Sequence, residues 1–184
     1  MKNIDFDYEK NLTDEYKNEE KYVIRVYLKD INEIYDEYDD KKMKLNHKIG
    51  NYIYQEVKNI PFKYDVTIEL STDEISKEER EKIKNIIKKY YAFKAKDLNE
   101  VLKINKLKAF ILLILGASII SLSYFGQKLI GTIYGEFTMV IGWVLSWEGL
   151  DILMLSNSEK RVKIKNYKQL YNADIVFSDK LEIK

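Results

Sequence analysis

Apolar and charged residues alternate along most of the chain, but from Ala109 to Leu155 the charges nearly vanish. Upstream, the periodicities predict a small mixed domain. Tyr22–Leu28 (YVIRVYL) is rich in β-branched and aromatic residues and reads as a strand. Leu45, Ile49, Tyr52, Ile53, Val57 and Ile60 recur at helical spacing, and Pro61 ends that run. Tyr64–Leu70 (YDVTIEL) puts Val66, Ile68 and Leu70 on one face of a second strand. Ser76 and Glu79 have the spacing of a capping box, in which two orphan amides are satisfied reciprocally. A helix with the stripe Ile83, Ile86, Ile87, Tyr90 and Tyr91 is predicted after it. Neither proline nor glycine interrupts the chain from there to Gly116, so that helix is expected to continue, with or without a bend, into the apolar region. The order is β-α-β-α. Two strands make a thin sheet, to be completed by another copy or by Ala173–Phe177 (ADIVF), which also reads as a strand.

Ala109–Phe125 carries no charge. As a helix it would be about 26 Å long at about 1.5 Å per residue, near the lower limit for a hydrocarbon core of about 30 Å. Gly126 and Gln127 are expected to end it. The second span has two registers. One, from about Leu129 to Trp147, takes in Glu136; the other, from about Phe137 to Leu155, takes in Glu148 and Asp151. The second is preferred, because it leaves Gly131 and Gly135 in the connecting segment. Asp151 then lies about 6 Å and Glu148 about 10 Å from the exit end. Trp143 and Trp147 are expected at the interface, with Lys106, Lys108, Lys160 and Arg161 as flanking anchors. A helix lying on the membrane surface from Trp147 onward is the other arrangement.

Charge then sets orientation. Lys94, Lys96, Lys103, Lys106 and Lys108 precede the first span, and Lys160, Arg161, Lys163, Lys165 and Lys168 follow the second. Only Lys128 lies between. Basic residues favour the cytoplasmic side. The expectation is a multi-pass protein of the cell membrane with both termini cytoplasmic. MKNIDFDYEK has no apolar core, so no secretory signal is expected there.

Composition narrows the chemistry. Lys+Arg number 31 and Asp+Glu 30, a net charge of +1, which does not favour a nucleic-acid partner. Cysteine is absent and His47 is the only histidine, so thiol catalysis, disulfides and Cys- or His-rich metal cages are excluded within one chain. Asp36, Glu37, Asp39 and Asp40 form an acidic turn without the glycine and terminal glutamate of a calcium loop. No phosphate-binding loop occurs, and no metal or cofactor is expected. Glu148 and Asp151 remain: three residues apart, a helix shows them on one side. Intramembrane acids usually face a protein interior or a cavity. Three roles follow: interfacial pairing with Lys160, Arg161 or the first span's lysines, docking of a partner helix, or an ion path. Gly116, Ala117 and Ser118 would allow close helix approach, and Gly131 and Gly135 have the GxxxG spacing.

The run INEIYDEYDDKKMKLNHKIGNYIYQEVKNIP, the strand and long helix after it, GWVLSWEGLDILML, and the tail YKQLYNADIVF together resemble a group of uncharacterised bacterial two-span membrane proteins. In that group an acidic, aromatic turn precedes the first helix, and a Gly-Trp-Val-x-x-Trp segment lies in the second span. A carboxylate stands at the place of Asp151. Basic residues or proline occur where this chain has Glu148 and Gly149, which leaves Asp151 as the shared feature. The resemblance brings no activity with it.

The sequence therefore predicts a flexible segment at 1–20, a cytoplasmic α+β domain at 21–105, a transmembrane helical hairpin at 106–155 and a basic tail at 156–184. The expected role is non-enzymatic: an interaction module or small subunit of a membrane complex, in contact with lipid and with a second copy or another membrane protein. The alternative is an oligomeric channel or pore-forming effector that uses Asp151 and Glu148.

Overall fold

A computed structural model describes residues 17–18, 21–72 and 75–179. The segment expected to be flexible lies outside these residues, apart from Lys17–Asn18, a two-residue strand β1. Strands β2 (Lys21–Tyr27), β3 (Asp65–Thr72) and β4 (Asp174–Asp179) follow, with helices α1 (His47–Val57), α2 (Lys77–Ile130), α3 (Thr132–Asp151) and α4 (Ser158–Asn172). The chain forms two compact units. One comprises residues 1–95 and 165–184, the other Lys96–Ile164.

The first unit is built on a sheet of order β1-β2-β3-β4, in which β2, β3 and β4 are parallel. Ile24, Ile68 and Ile175 stand side by side, as do Val26, Leu70 and Phe177. These residues face Ile53 and Val57 of α1, Ile83, Ile87 and Tyr91 of α2, and Leu170 of α4 in one core. The opposite sheet face carries the Arg25–Glu69 ion pair at 3.1 Å and the exposed Tyr27 and Val176. Parallel neighbours need a long crossover. Residues 28–64, with α1, supply it between β2 and β3. Between β3 and β4 the crossover holds α2, α3 and α4, so both apolar helices are inserted between adjacent strands of one sheet. The basic tail is thus no appendage: from Lys165 onward it belongs to the first unit.

Local chemistry explains the boundaries. Asn46 caps α1, its side chain accepting from the Lys48 amide. Ser76 Oγ accepts from the Glu79 amide at 3.2 Å, half of the expected capping box. Glu79 itself accepts from the Tyr35 hydroxyl. The acidic turn is structural: Asp30 caps a 3-10 turn at Ile31–Ile34, and Asp36 and Asp39 accept from the amides of Tyr38 and Met43. His47 is exposed in the first turn of α1, beside Asn51.

Tyr91 is fully buried and donates to the Gly50 carbonyl at 3.1 Å. Burial, then the neighbouring Tyr90 and Tyr167, pushes its hydroxyl far above the usual value of 10.0. The folded state holds this proton where the unfolded chain would release it. Stability from this site is therefore complete below about pH 10 and falls as pH rises beyond it. Tyr91→Phe should lose about 1 kcal/mol at pH 7, the hydrogen bond's share, and show a shallower loss between pH 9 and 11. Urea unfolding of the full chain at a series of pH values measures both.

Candidate functional site

The second unit is made of the later part of α2, α3 and the beginning of α4. Two helices are long and apolar enough to cross a membrane, and only 17% and 11% of their apolar windows are buried. A helix from the core of a soluble protein would be mostly covered. Here Phe110, Ile114, Leu122, Phe137, Val140 and Val144 are among the large side chains that face outward.

What is covered is small. Leu102, Ala109, Gly116 and Ser123 of α2 recur every seven residues and are buried. So are Gly135, Gly142 and Gly149 of α3. The two stripes meet antiparallel. A Cβ on Gly149 would lie 3.0 Å from the Ala109 carbonyl oxygen, and one on Gly142 would lie 2.9 Å from that of Gly116. One on Gly135 would collide with the Gln127 side chain. Backbones this close are how helices associate where no water drives them together, and the seven-residue spacing keeps one face turned to the partner.

The connection corrects two expectations. Gly126 and Gln127 do not end the first helix; α2 continues to Ile130, 54 residues in all. The break falls at Gly131, whose φ of 108° is a conformation glycine alone adopts freely. Gly135, expected in the connecting segment, is helical and packed. α3 begins at Thr132, between the starts of the two registers weighed for the second span. Gly131 and Gly135 do not act as a GxxxG pair; the pattern that packs is the heptad from Gly135 onward.

At Ile152–Ser156 the helix widens into a π-turn. Such a turn holds one residue more than the α-helix would. Past it the buried positions are Asn157 and Ile164, eight and then seven residues on from Gly149. The π-turn thus absorbs the extra residue and keeps the buried stripe in phase. Asn157 is fully buried, and its Oδ1 accepts from Asn105 Nδ2 at 3.0 Å, while its own Nδ2 has no partner.

Asp151 lies at the start of this turn, half-buried, and accepts from Ser156 Oγ at 3.0 Å. Lys160 Nζ does not pair with it but donates to the Ser156 carbonyl, and Ser158 Oγ donates to that of Leu155. Side chains near the π-turn thus cover carbonyls there. Glu148 is exposed, and among the described residues it has no hydrogen-bond or ion-pair partner. The pairing expected with Lys160 or Arg161 is absent for both acids. Trp143 and Trp147 are exposed, as are Lys106, Lys108 and Arg161. Four hydroxyls within the apolar helices are satisfied locally: Ser121, Ser123, Thr138 and Ser146 each donate to the carbonyl four residues back.

Elsewhere, the first unit has a cavity of about 560 Å³ between the ends of β3 and α4. Gln169 reaches across it to donate to the Pro61 and Tyr64 carbonyls, and Lys165 lies over the Phe62 ring. Sequence periodicity gave no signal for this site, because its residues come from segments a hundred positions apart. Among the described residues no three His, Asp or Glu side chains converge as metal ligands. No protein-family model, curated protein or solved structure matches the chain.

Proposed function

We propose that this chain is a membrane-embedded helical hairpin that carries an α+β domain, acting as a non-enzymatic interaction module or small subunit of a membrane complex. The observation that carries this reading is the inverted distribution of the second unit: glycine, alanine and serine inside, large apolar side chains outside. Lipid covers that exterior without further protein. Local satisfaction of the Ser121, Ser123, Thr138 and Ser146 hydroxyls fits a water-free surrounding. The parallel pairing of β3 with β4 supports an even number of crossings, because the chain leaves the sheet at Thr72 and returns beside it at Asp174. Together with the lysine distribution, this favours both termini in the cytoplasm. The channel reading has less support, since Asp151 is engaged with Ser156 in its own helix.

Cysteine scanning tests the arrangement on a background free of cysteine. A Cβ on Gly126 meets open space. Gly126→Cys should be labelled by an impermeant maleimide only from outside intact cells, and Lys168→Cys only after the membrane is opened. Labelling of both from one side, or release of the chain by alkaline carbonate, would refute the reading. The mass of the native complex after mild detergent extraction then shows what accompanies the chain.

A further inference from the structure

We infer that Glu148 and Lys108 form an ion pair between copies of this chain, an inference that rests on the membrane-hairpin reading. Gly149 lies against the backbone of Ala109. Glu148 and Lys108 are the residues immediately before these two, and because the helices are antiparallel they lie within about one helical turn of each other along the unit. Both are exposed, and among the described residues neither has a hydrogen-bond or ion-pair partner. Among the described residues no bridge joins them: the ion pairs there in the second unit are Lys103–Glu100 and Lys163–Glu159.

Their setting makes isolation costly. Exposed Trp147 and Val144 adjoin Glu148 on α3, and exposed Leu107 and Phe110 flank Lys108 on α2. A charge at the margin of an apolar surface loses hydration unless an opposite charge replaces it. Copies inserted in the same sense differ only by movement in the membrane plane. That movement brings one copy's Glu148 within about one helical turn of another copy's Lys108, an offset the long lysine side chain can span. Lys106, also exposed, adds positive charge nearby. The complementarity is thus of the chain with itself, and a second copy is the occupant it selects. Asp151 takes no part, being held by Ser156.

The test uses two differently tagged full-length chains co-expressed in membranes, extracted in mild detergent and captured through one tag. Wild-type chains should co-purify. Glu148→Lys with itself, or Lys108→Glu with itself, should weaken association about tenfold, as juxtaposed like charges do. Glu148→Lys co-expressed with Lys108→Glu should restore it, because each contact then joins opposite charges. The neutral Glu148→Gln should weaken association less than Glu148→Lys, with an unchanged unfolding midpoint that excludes misfolding. Unaltered self-association of both charge variants overturns the inference. So does recovery only when both substitutions share one chain, since that marks an intramolecular pair. Carbonate extraction of the same samples separates the two readings: chains that stay in the membrane without self-association refute the pair alone, and chains that leave it refute the hairpin.

Discussion

Gly142→Leu should disrupt the second unit. A Cβ at this position already lies 2.7 Å from Ile120 Cγ1 and 2.9 Å from the Gly116 carbonyl oxygen. The Ile120 side chain can turn away, but the carbonyl belongs to a helix backbone and cannot. Three further carbons must then enter a seam that holds none. The helices can respond only by separating, which uncouples Ala109 from Gly149 as well. The cost should be about 3 kcal/mol, the upper end of ordinary overpacking. Gly126→Leu, where nothing lies within 4 Å, should cost about what a solvent-exposed substitution costs, well under 1 kcal/mol. Urea unfolding of the full chain in detergent micelles, followed by helical circular dichroism, compares them. Equal midpoints for the two variants would mean that the glycine stripe is not the seam.

The same stripe shows where sequence reading succeeds and where it stops. The predicted strands and helices of the first unit are present because their signals are local. β-Branched and aromatic residues mark β2, alternation marks β3, the Ser76 cap fixes the start of α2, and Pro61 follows the end of α1. Ala173–Phe177 reads as a strand for the same reason, and the structure sets it at Asp174–Asp179 beside β3. Which strands are neighbours, and that they run parallel, is not a local property. It depends on a crossover of a hundred residues that no window contains. In the apolar region the difficulty is different. Hydropathy counts apolar residues and so scores glycine as a break, which marks Gly126 as a helix end and places Gly131 and Gly135 in the connecting segment. Of these only Gly131 has a positive φ. The spacing of seven that joins Gly135, Gly142 and Gly149, and that joins Ala109, Gly116 and Ser123, was present in the sequence. Reading small residues as a buried face, as one reads large ones in water, would have found the seam.

Two single-residue deletions should have opposite consequences, although they lie only ten positions apart. Removing Val144 from α3 turns Gly142 by about 100° relative to Gly149, since each α-helical residue advances about 100°. One of the two close contacts must be lost, and Ile141 or Leu150 enters the seam in its place. The loss should reach about 4 kcal/mol or more, enough to leave the unit unfolded or open to protease. Removing Met154, exposed in the π-turn, should do almost nothing to packing. The π-turn exists because Gly149 and Asn157 are eight apart, where the α-helical seam wants seven. With Met154 gone, Asn157 stands seven residues on, the turn closes as ordinary α-helix, and Asn157 stays opposite Asn105. Asp151 and Ser156 become four apart, still neighbours on one helix face. Thermal midpoints and limited proteolysis of the two full-length variants decide the matter. Comparable damage from both would show that the π-turn has a shape the unit needs, beyond keeping its phase. If the Met154 deletion folds, it also removes a widened turn of the kind often found at functional sites without disturbing the seam. Its co-purification with wild-type copies then tells whether the turn serves association or only the fold.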